Sequence, residues 1–304
     1  MKKKNILIVG GTGFIGKHLA GKCLSLNWNV TSISTSKPKK KNKLKKVKYI
    51  VCDISKKKQL YSKIKNNFNY VVNLGGYVDH RKKIKTYRSH YLGVKNLSNL
   101  FLGKNLSSFI QMGSSLEYGN LHSPQKEHIK TNVNKMKSVY AKSKLMATNY
   151  LIKLNRKYNF PCTILRLYLA FGPKQDRNRL IPITINSCLK KLNFDCSEGK
   201  QFRDFIYIDD VVDLIICVLK NRNSRGEIIN VGSGKKQKIK TVIKKIISLS
   251  KGGKPNFGKI KLRQDEALKI FPSILKAKKL FNWEPKYNFY TGLKKTISYY
   301  KKNE

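Results

Sequence analysis

Tyr140 and Lys144 stand four residues apart in the run SVYAKSK. On a helix, positions i and i+4 share a face, so this phenol and this ammonium point into one pocket. A phenol ordinarily loses its proton near pH ~10. A lysine cation held beside it favours the phenolate and brings proton exchange closer to neutrality. A Tyr-x-x-x-Lys spacing is common on any helix, and its chemical meaning comes from what precedes it. Upstream lies the run Gly10-Gly11-Thr12-Gly13-Phe14-Ile15-Gly16. A nucleotide-binding loop followed by such a pair reads as the acid/base machinery of a hydride-transfer enzyme.

These residues need a scaffold, and the hydrophobic pattern supplies one. Asn5 to Val9, Asn29 to Ile33, Val47 to Val51, Tyr70 to Leu74, Phe109 to Met112 and Thr163 to Leu167 are short runs rich in Val, Ile or Leu. Helical stretches fit between them, among them Gly16 to Leu26, His90 to Leu102 and Val139 to Lys157. The alternation predicts an α/β fold of βαβ units, a Rossmann-type doubly wound parallel sheet. Residues 1–172 are expected to form the NAD(P)-binding domain, with 203–232 returning to it. Residues 173–304 are expected to be mainly a smaller substrate-binding region. No internal repeat is visible.

Gly10, Gly13 and Gly16 follow the first strand and open a helix. Glycine there permits a tight turn, close approach of backbone to a pyrophosphate and close strand–helix packing, with the anion at the positive helix end. A dinucleotide site is expected. At the end of the second strand an NAD enzyme usually offers an acid to the ribose 2′-hydroxyl. Here the chain reads Ile33-Ser34-Thr35-Ser36-Lys37, with no acid. Ser34 and Lys37 suit a 2′-phosphate and favour NADP over NAD, unless Lys37 merely begins the lysine-rich loop that runs to Lys46. Asp53 is either a partner for the adenine amino group or a helix N-cap.

Composition excludes several classes. The 304 residues with 40% hydrophobic content and 16 Tyr describe a globular chain rather than a disordered one. Lys+Arg 65 against Asp+Glu 16 gives a formal net charge of +49. The lysines run from Lys2 to Lys302 and asparagine is abundant, so an AT-rich codon bias accounts for the excess better than a dedicated polyanion site. No dedicated nucleic-acid or membrane partner is expected, although the field would draw in a doubly anionic nucleotide. Cys23, Cys52, Cys162, Cys188, Cys196 and Cys217 form neither C-x-x-C nor metal-ligand spacing. Reduced thiols, no metal and a cytoplasmic location are expected. The lysines before Ile6-Leu7-Ile8-Val9 superficially resemble a signal peptide, but the apolar run is short and ends in the glycine loop. No apolar segment approaches the ~20 residues of a membrane span.

At this point the chain resembles the extended short-chain dehydrogenase/reductase family, the group of nucleotide-sugar epimerases, dehydratases and reductases. The resemblance rests on GGTGFIG (10–16), CDI (52–54), VVNLGG (71–76), GSSLEYG (113–119), YAKSK (140–144), RLYLAFGP (166–173), RDFIYIDD (203–210), NVGSG (230–234) and NWEP (282–285). It implies that Ser114 hydrogen-bonds the reacting sugar oxygen, with Ser115 as the neighbouring alternative. Tyr140 would exchange the proton with that oxygen, and Lys144 would bind the nicotinamide ribose and depress the tyrosine pKa. The cofactor would lie against Gly10, Gly13, Phe14, Ile15, Gly16, Ser34, Lys37, Asp53, Ile54, Leu74 and Gly75, besides Tyr140 and Lys144. Arg203 and Arg263 match arginines that grip the substrate diphosphate, a role suited to a planar guanidinium fork. Asp204 and Asp210 read as structural, and the role of Arg166 is open. Tyr77 and His80, in the unusual run Gly75 to His80, are candidates for touching the sugar.

Departures from the family pattern narrow the activity. The family's sugar dehydratases carry an acid two residues before the Tyr-Gly of the serine motif, where this chain has Leu116. Glu117, one residue later, would face the opposite side if the segment were a strand. Leu169 and His90 replace asparagines common in the family. The resemblance therefore implies a cytoplasmic NADP-dependent reductase of a nucleotide-diphosphate 4-keto-6-deoxy sugar, serving surface-polysaccharide synthesis. The alternative is a 4-epimerase holding NAD tightly, and a remote third is an RNA-binding relative without catalysis. A homodimer through the helices His90 to Leu102 and Val139 to Lys157 is expected.

Overall fold

Runs of branched aliphatic residues, buried on both faces, form the middle layer of this protein. The computed structural model describes residues 3–40, 43–262 and 266–303. The first part of the chain runs β1 (Asn5–Val9), α1 (Phe14–Ser25), β2 (Asn29–Ser34), β3 (Val47–Val51), α2 (Lys57–Lys63), β4 (Tyr70–Asn73), α3 (Lys83–Tyr87), α4 (Gly93–Phe101), β5 (Ser108–Ser114), α5 (Val139–Tyr158) and β6 (Cys162–Leu167). The remainder comprises β7 (Leu169–Phe171), α6 (Leu180–Leu189), β8 (Asn193–Cys196), β9 (Phe202–Tyr207), α7 (Ile208–Lys220), β10 (Ile228–Val231), β11 (Lys236–Lys238), α8 (Ile239–Ser250), β12 (Lys254–Phe257), β13 (Lys269–Ile270), α9 (Leu275–Phe281) and α10 (Phe289–Lys302).

Seven parallel strands make the central sheet, in the order β10-β6-β5-β4-β1-β2-β3. Alternate residues of each strand enter separate cores. Ile6, Ile8, Val72 and Ile110 pack with α1 and α7 on one face. Leu7, Val9, Val71 and Phe109 pack with α2, α4 and α5 on the other. The expected parallel, doubly wound α/β architecture is the one found. Strand order reverses between β1 and β4, and a sheet of this kind binds ligands beyond the carboxyl ends of the strands at that crevice. Strand β9 lies in a separate small sheet with β7, β11 and β13. Strands β8 and β12 form a parallel pair.

Two local features depart from the expected elements. The helix expected from His90 begins instead with a π-helical turn, Arg88–Leu92, that runs into α4 and buries His90. Such turns insert one residue into the helical ladder and re-aim a side chain. The serine motif does not continue as a strand. Residues Ser115–Tyr118 form a 3-10 turn, which sends the Glu117 side chain into the interior.

Candidate active site

The carboxyl ends of β1, β4 and β5 converge with the start of α5. Gly10, with φ of 78°, turns the chain out of β1, and a Cβ there would stand 3.0 Å from the Gly75 nitrogen. A Cβ on Gly16 would collide with the Gly10 carbonyl oxygen, so the helix can sit this close to the strand only with glycine. Gly13 is the N-cap of α1 and offers no capping side chain. The first N–H groups of α1 are therefore free to hold an anion, at the positive end of the helix dipole. The cradle fits a dinucleotide pyrophosphate, with Phe14 and Ile15 in the first turn beside it.

The rest of the cofactor candidates line the same edge. Ser34, half-buried, ends β2, while Lys37 is exposed in the loop beyond. The Asp53 carboxylate accepts from the Ser55 amide at 2.9 Å, closing the turn after β3, and Ile54 is buried against Gly93. Leu74 and Gly75 follow β4, with the Gly75 amide bonded to the Asn73 side chain at 3.1 Å.

Ser114 ends β5 and caps the 3-10 turn. Its hydroxyl accepts from the Leu116 amide at 3.2 Å, and its own amide donates to Glu117 Oε1 at 2.8 Å. Tyr140 is the second residue of α5, whose N-cap Ser138 accepts from the Ala141 amide. One turn later Lys144 is buried, and its Nζ donates to the Met112 carbonyl at 2.6 Å. The ammonium lies 5.9 Å from the Tyr140 ring centroid. Burial brings the Lys144 pKa down to about 8. Burial also raises the Tyr140 phenol, while a hydrogen bond from Ser114 and the charge of Arg179 oppose that rise. The expected depression by Lys144 is not found: desolvation of the phenolate dominates, and the ammonium donates to the Met112 carbonyl.

Two histidines complete the surroundings of the phenol. The His80 ring stacks on Tyr140 at 3.9 Å between centroids and 15° between planes. His90 meets the same ring edge-on at 4.9 Å. Burial, followed by the charge of Lys144, lowers the His90 pKa to about 3, so this imidazole is neutral. His90 Nε2 lies 3.2 Å from the Tyr77 carbonyl oxygen, which fits a donating N–H there and leaves Nδ1 unprotonated and without a partner. Tyr77 itself is anchored through its amide to Ser89. Ser115 is half-buried beside the serine that caps the turn.

The 3-10 turn gives Glu117 and Arg166 a joint role. Glu117 Oε2 accepts from Arg166 Nε at 3.1 Å and from Thr148 Oγ1 at 2.7 Å, deep in the protein. Its other oxygen holds the Ser114 amide. The acid next to the serine motif is thus committed to supporting Ser114 and does not face a sugar, and Leu116 at the neighbouring position is exposed and uncharged. Arg203 is paired with Glu266, Nη2 to Oε1 at 2.7 Å. Arg263 lies outside the described residues. Asp204 accepts from the Ser233 and Lys235 amides, and Asp210 from those of Lys286 and Tyr287, so both tie chain segments together. Sequence reasoning had no role for Arg166 and overlooked Arg179, the cation that acts on both Tyr140 and His80.

With this geometry in place, comparison with known proteins is decisive for the family. The pattern of the NAD dependent epimerase/dehydratase family matches residues 6–232. The chain belongs to that family. Human dTDP-D-glucose 4,6-dehydratase is 26% identical over 331 residues, covering 99% of this chain and 91% of its own. UDP-glucuronic acid decarboxylase 1 of Arabidopsis thaliana is 26% identical over 313 residues, covering 98% of this chain and 70% of its own. The crystal structure of Thermotoga maritima UDP-glucose 4-epimerase with UDP-glucose superposes with a TM-score of 0.91 at 23% identity, covering 98% of this chain and 99% of that one. Members of the family are enzymes acting on nucleotide sugars. Among the described residues there is no His/Cys/Asp/Glu cluster suited to a metal, and no helix long and apolar enough to cross a membrane.

Proposed function

We propose that this protein reduces a nucleotide-diphosphate 4-keto-6-deoxy sugar with NADPH, Tyr140 delivering the proton. The observation that carries this reading is the convergence of Ser114, Tyr140 and Lys144 beside the uncapped N-terminus of α1. When bound, the nicotinamide supplies the hydride. The residues do the rest. Burial keeps the Tyr140 phenol protonated, which is the form required to give Oη–H to a ketone oxygen as charge develops on it. The Ser114 hydroxyl donates to the same oxygen, and Glu117 fixes the backbone beneath it. Lys144 Nζ, held by Met112, would bind a ribose hydroxyl of the cofactor. His80 covers one face of the ring.

The direction of reaction rests on β2, which ends in Ser34 without an acid, and on Lys37 beyond it. Dehydration is disfavoured because Leu116 cannot serve as an acid and Glu117 is engaged elsewhere. Arg203 would exchange its Glu266 partner for the substrate diphosphate, with Arg263 as the second cation, and Tyr77, His80 and Ser115 would border the sugar. A 4-epimerase holding NAD is the second reading. It is favoured by the exposure of Lys37, which is not held in place beside the end of β2. We place the enzyme in the cytoplasm as a homodimer, joined across the face where Ile84, Tyr87, Leu92 and Met146 border an apolar groove.

Two measurements test the assignment. NADPH consumption is followed with a panel of nucleotide-activated 4-keto sugars, one of which should turn over. Cofactor is also released from freshly purified protein, where stoichiometric NAD would overturn the reductase reading in favour of epimerisation. A monomer in sedimentation equilibrium would rule out the dimer.

A further inference from the structure

A second cavity of about 760 Å³ opens on the flank of α5 opposite to Tyr140 and Lys144. Asn149, Lys153 and Arg156 recur at helical spacing on that flank, while the catalytic pair faces the other way. Lys130, Lys153, Arg156 and Lys157 line the cavity together with Arg166. Four of these are surface cations of the kind the whole chain carries in excess. Arg166 is not: it is 1% exposed, comes from β6 in the central sheet, and stacks over the Tyr118 ring at 4.4 Å, while its Nη1 has no hydrogen-bond partner. A buried guanidinium nitrogen left unpaired is costly and marks a position where an acceptor belongs. The cavity has one acid in its wall, Glu127, whose Oε1 already accepts from the Asn230 amide at 3.0 Å. Ile152 and Ile228 add an apolar surface.

The same arginine reaches the catalytic centre from behind. Arg166 Nε holds Glu117 Oε2 at 3.1 Å, and Glu117 Oε1 holds the Ser114 amide at 2.8 Å. An anion bound to the guanidinium competes with Glu117 for its charge. That weakens the carboxylate's grip on the turn that carries Ser114.

We propose that this cavity is a binding site for a small phosphorylated metabolite, held by Arg166 and the cations of α5, and that its occupancy is relayed through Glu117 to Ser114. Glycine-loop and nucleotide-sugar binding lie on the other side of α5, so the site is independent of which sugar reaction the enzyme performs.

Inorganic pyrophosphate is the probe. It is titrated calorimetrically into the full chain at about 150 mM salt, where exposed charges are screened beyond about 8 Å. The wild type is compared with a Lys153→Gln/Arg156→Gln variant and with Gly16→Ala, which clashes with the backbone of the dinucleotide loop. The expected result is saturable binding that survives Gly16→Ala and weakens at least about tenfold in the double variant, since two charge-assisted hydrogen bonds are lost. The Ser114 backbone amide resonance should shift on titration of the wild type and stay still in the double variant. Equal binding by the double variant, an unsaturable response typical of counter-ions, or tighter capture of a single-stranded RNA oligonucleotide by these residues would overturn the site. Binding with no movement at Ser114 would overturn the relay.

Discussion

Replacing Lys144 by Met should make the protein more stable and nearly inactive. The ammonium is buried, and burial lowers its pKa from 10.5 to about 8. At about 1.4 kcal/mol for each tenfold change, that fall corresponds to about 3 kcal/mol of desolvation borne by the charged form at neutral pH. Methionine matches the length of the side chain and removes the charge. The Met112 carbonyl loses the Nζ–H donor but keeps the Gln111 side-chain amide at 2.9 Å, so no buried acceptor is stranded. The net gain should be about 2–3 kcal/mol, or a rise of a few degrees in Tm for a chain of this size. The pH dependence identifies the cause. Between the folded value of about 8 and the unfolded value near 10.5, the unfolded chain binds more protons, so the wild type gains stability as pH rises through that window. The destabilising contribution is complete below about pH 8. Thermal unfolding at pH 7 and pH 10 should therefore show a variant that melts well above the wild type at pH 7 and close to it at pH 10. A variant less stable than wild type at pH 7, or a difference in Tm that does not narrow, would refute the assignment of Lys144 as a desolvated cation. Turnover should fall by about 10²-fold or more in parallel, since the cation proposed to hold the cofactor ribose beside Tyr140 is gone.

Other outcomes follow from the same geometry. Tyr140→Phe should retain the fold and cofactor binding and lose about 10²–10⁴-fold in turnover, and retention of more than about a tenth of the rate would remove the tyrosine as acid/base. Glu117→Ala strands the buried Arg166 and should lower unfolding stability by about 3–5 kcal/mol, read from denaturant titration. His90 has a folded pKa of about 3 against an ordinary 6.5, so the unfolded chain takes up the extra proton as pH falls. The resulting penalty, on the order of 4–5 kcal/mol, is absent above pH 6.5 and builds up towards pH 3. His90→Asn should flatten that acid limb, and an unchanged limb would mean that other groups control it. Gly16→Ala should weaken dinucleotide binding severely by equilibrium titration, because the methyl group collides with the Gly10 carbonyl.

The parts of this protein that depend on local pattern were legible in the chain. Short Val- and Ile-rich runs bounded by glycine and asparagine are strands wherever both faces are covered, and β1 to β6 lie within one or two residues of the expected limits. The glycine loop was legible for the same reason: a turn at φ of 78° and a helix packed onto a strand admit no other residue at Gly10 and Gly16. The i, i+4 pairing of Tyr140 and Lys144 is helical arithmetic.

The electrostatics of that pair were decided only by the tertiary structure. Whether Lys144 depresses the phenol depends on where the ammonium points, and the Met112 carbonyl, which is 32 residues away in sequence, draws it away. Glu117 faces inward because residues Ser115–Tyr118 turn as a 3-10 helix, with a capping box that a strand reading of the same residues hides. Its partners come from β6 and from the middle of α5, so no spacing rule brings Arg166, Thr148 and Ser114 together. His80 stacks on Tyr140 from a loop 60 residues earlier, and His90 turns inward because the helix is wound as a π turn there. Periodicity is a property of neighbours along the chain, whereas desolvation and charge are properties of neighbours in space. For that reason the sequence alone determined the sheet, the glycine cradle and the Tyr–Lys spacing. Only the folded structure decided which protons those residues hold.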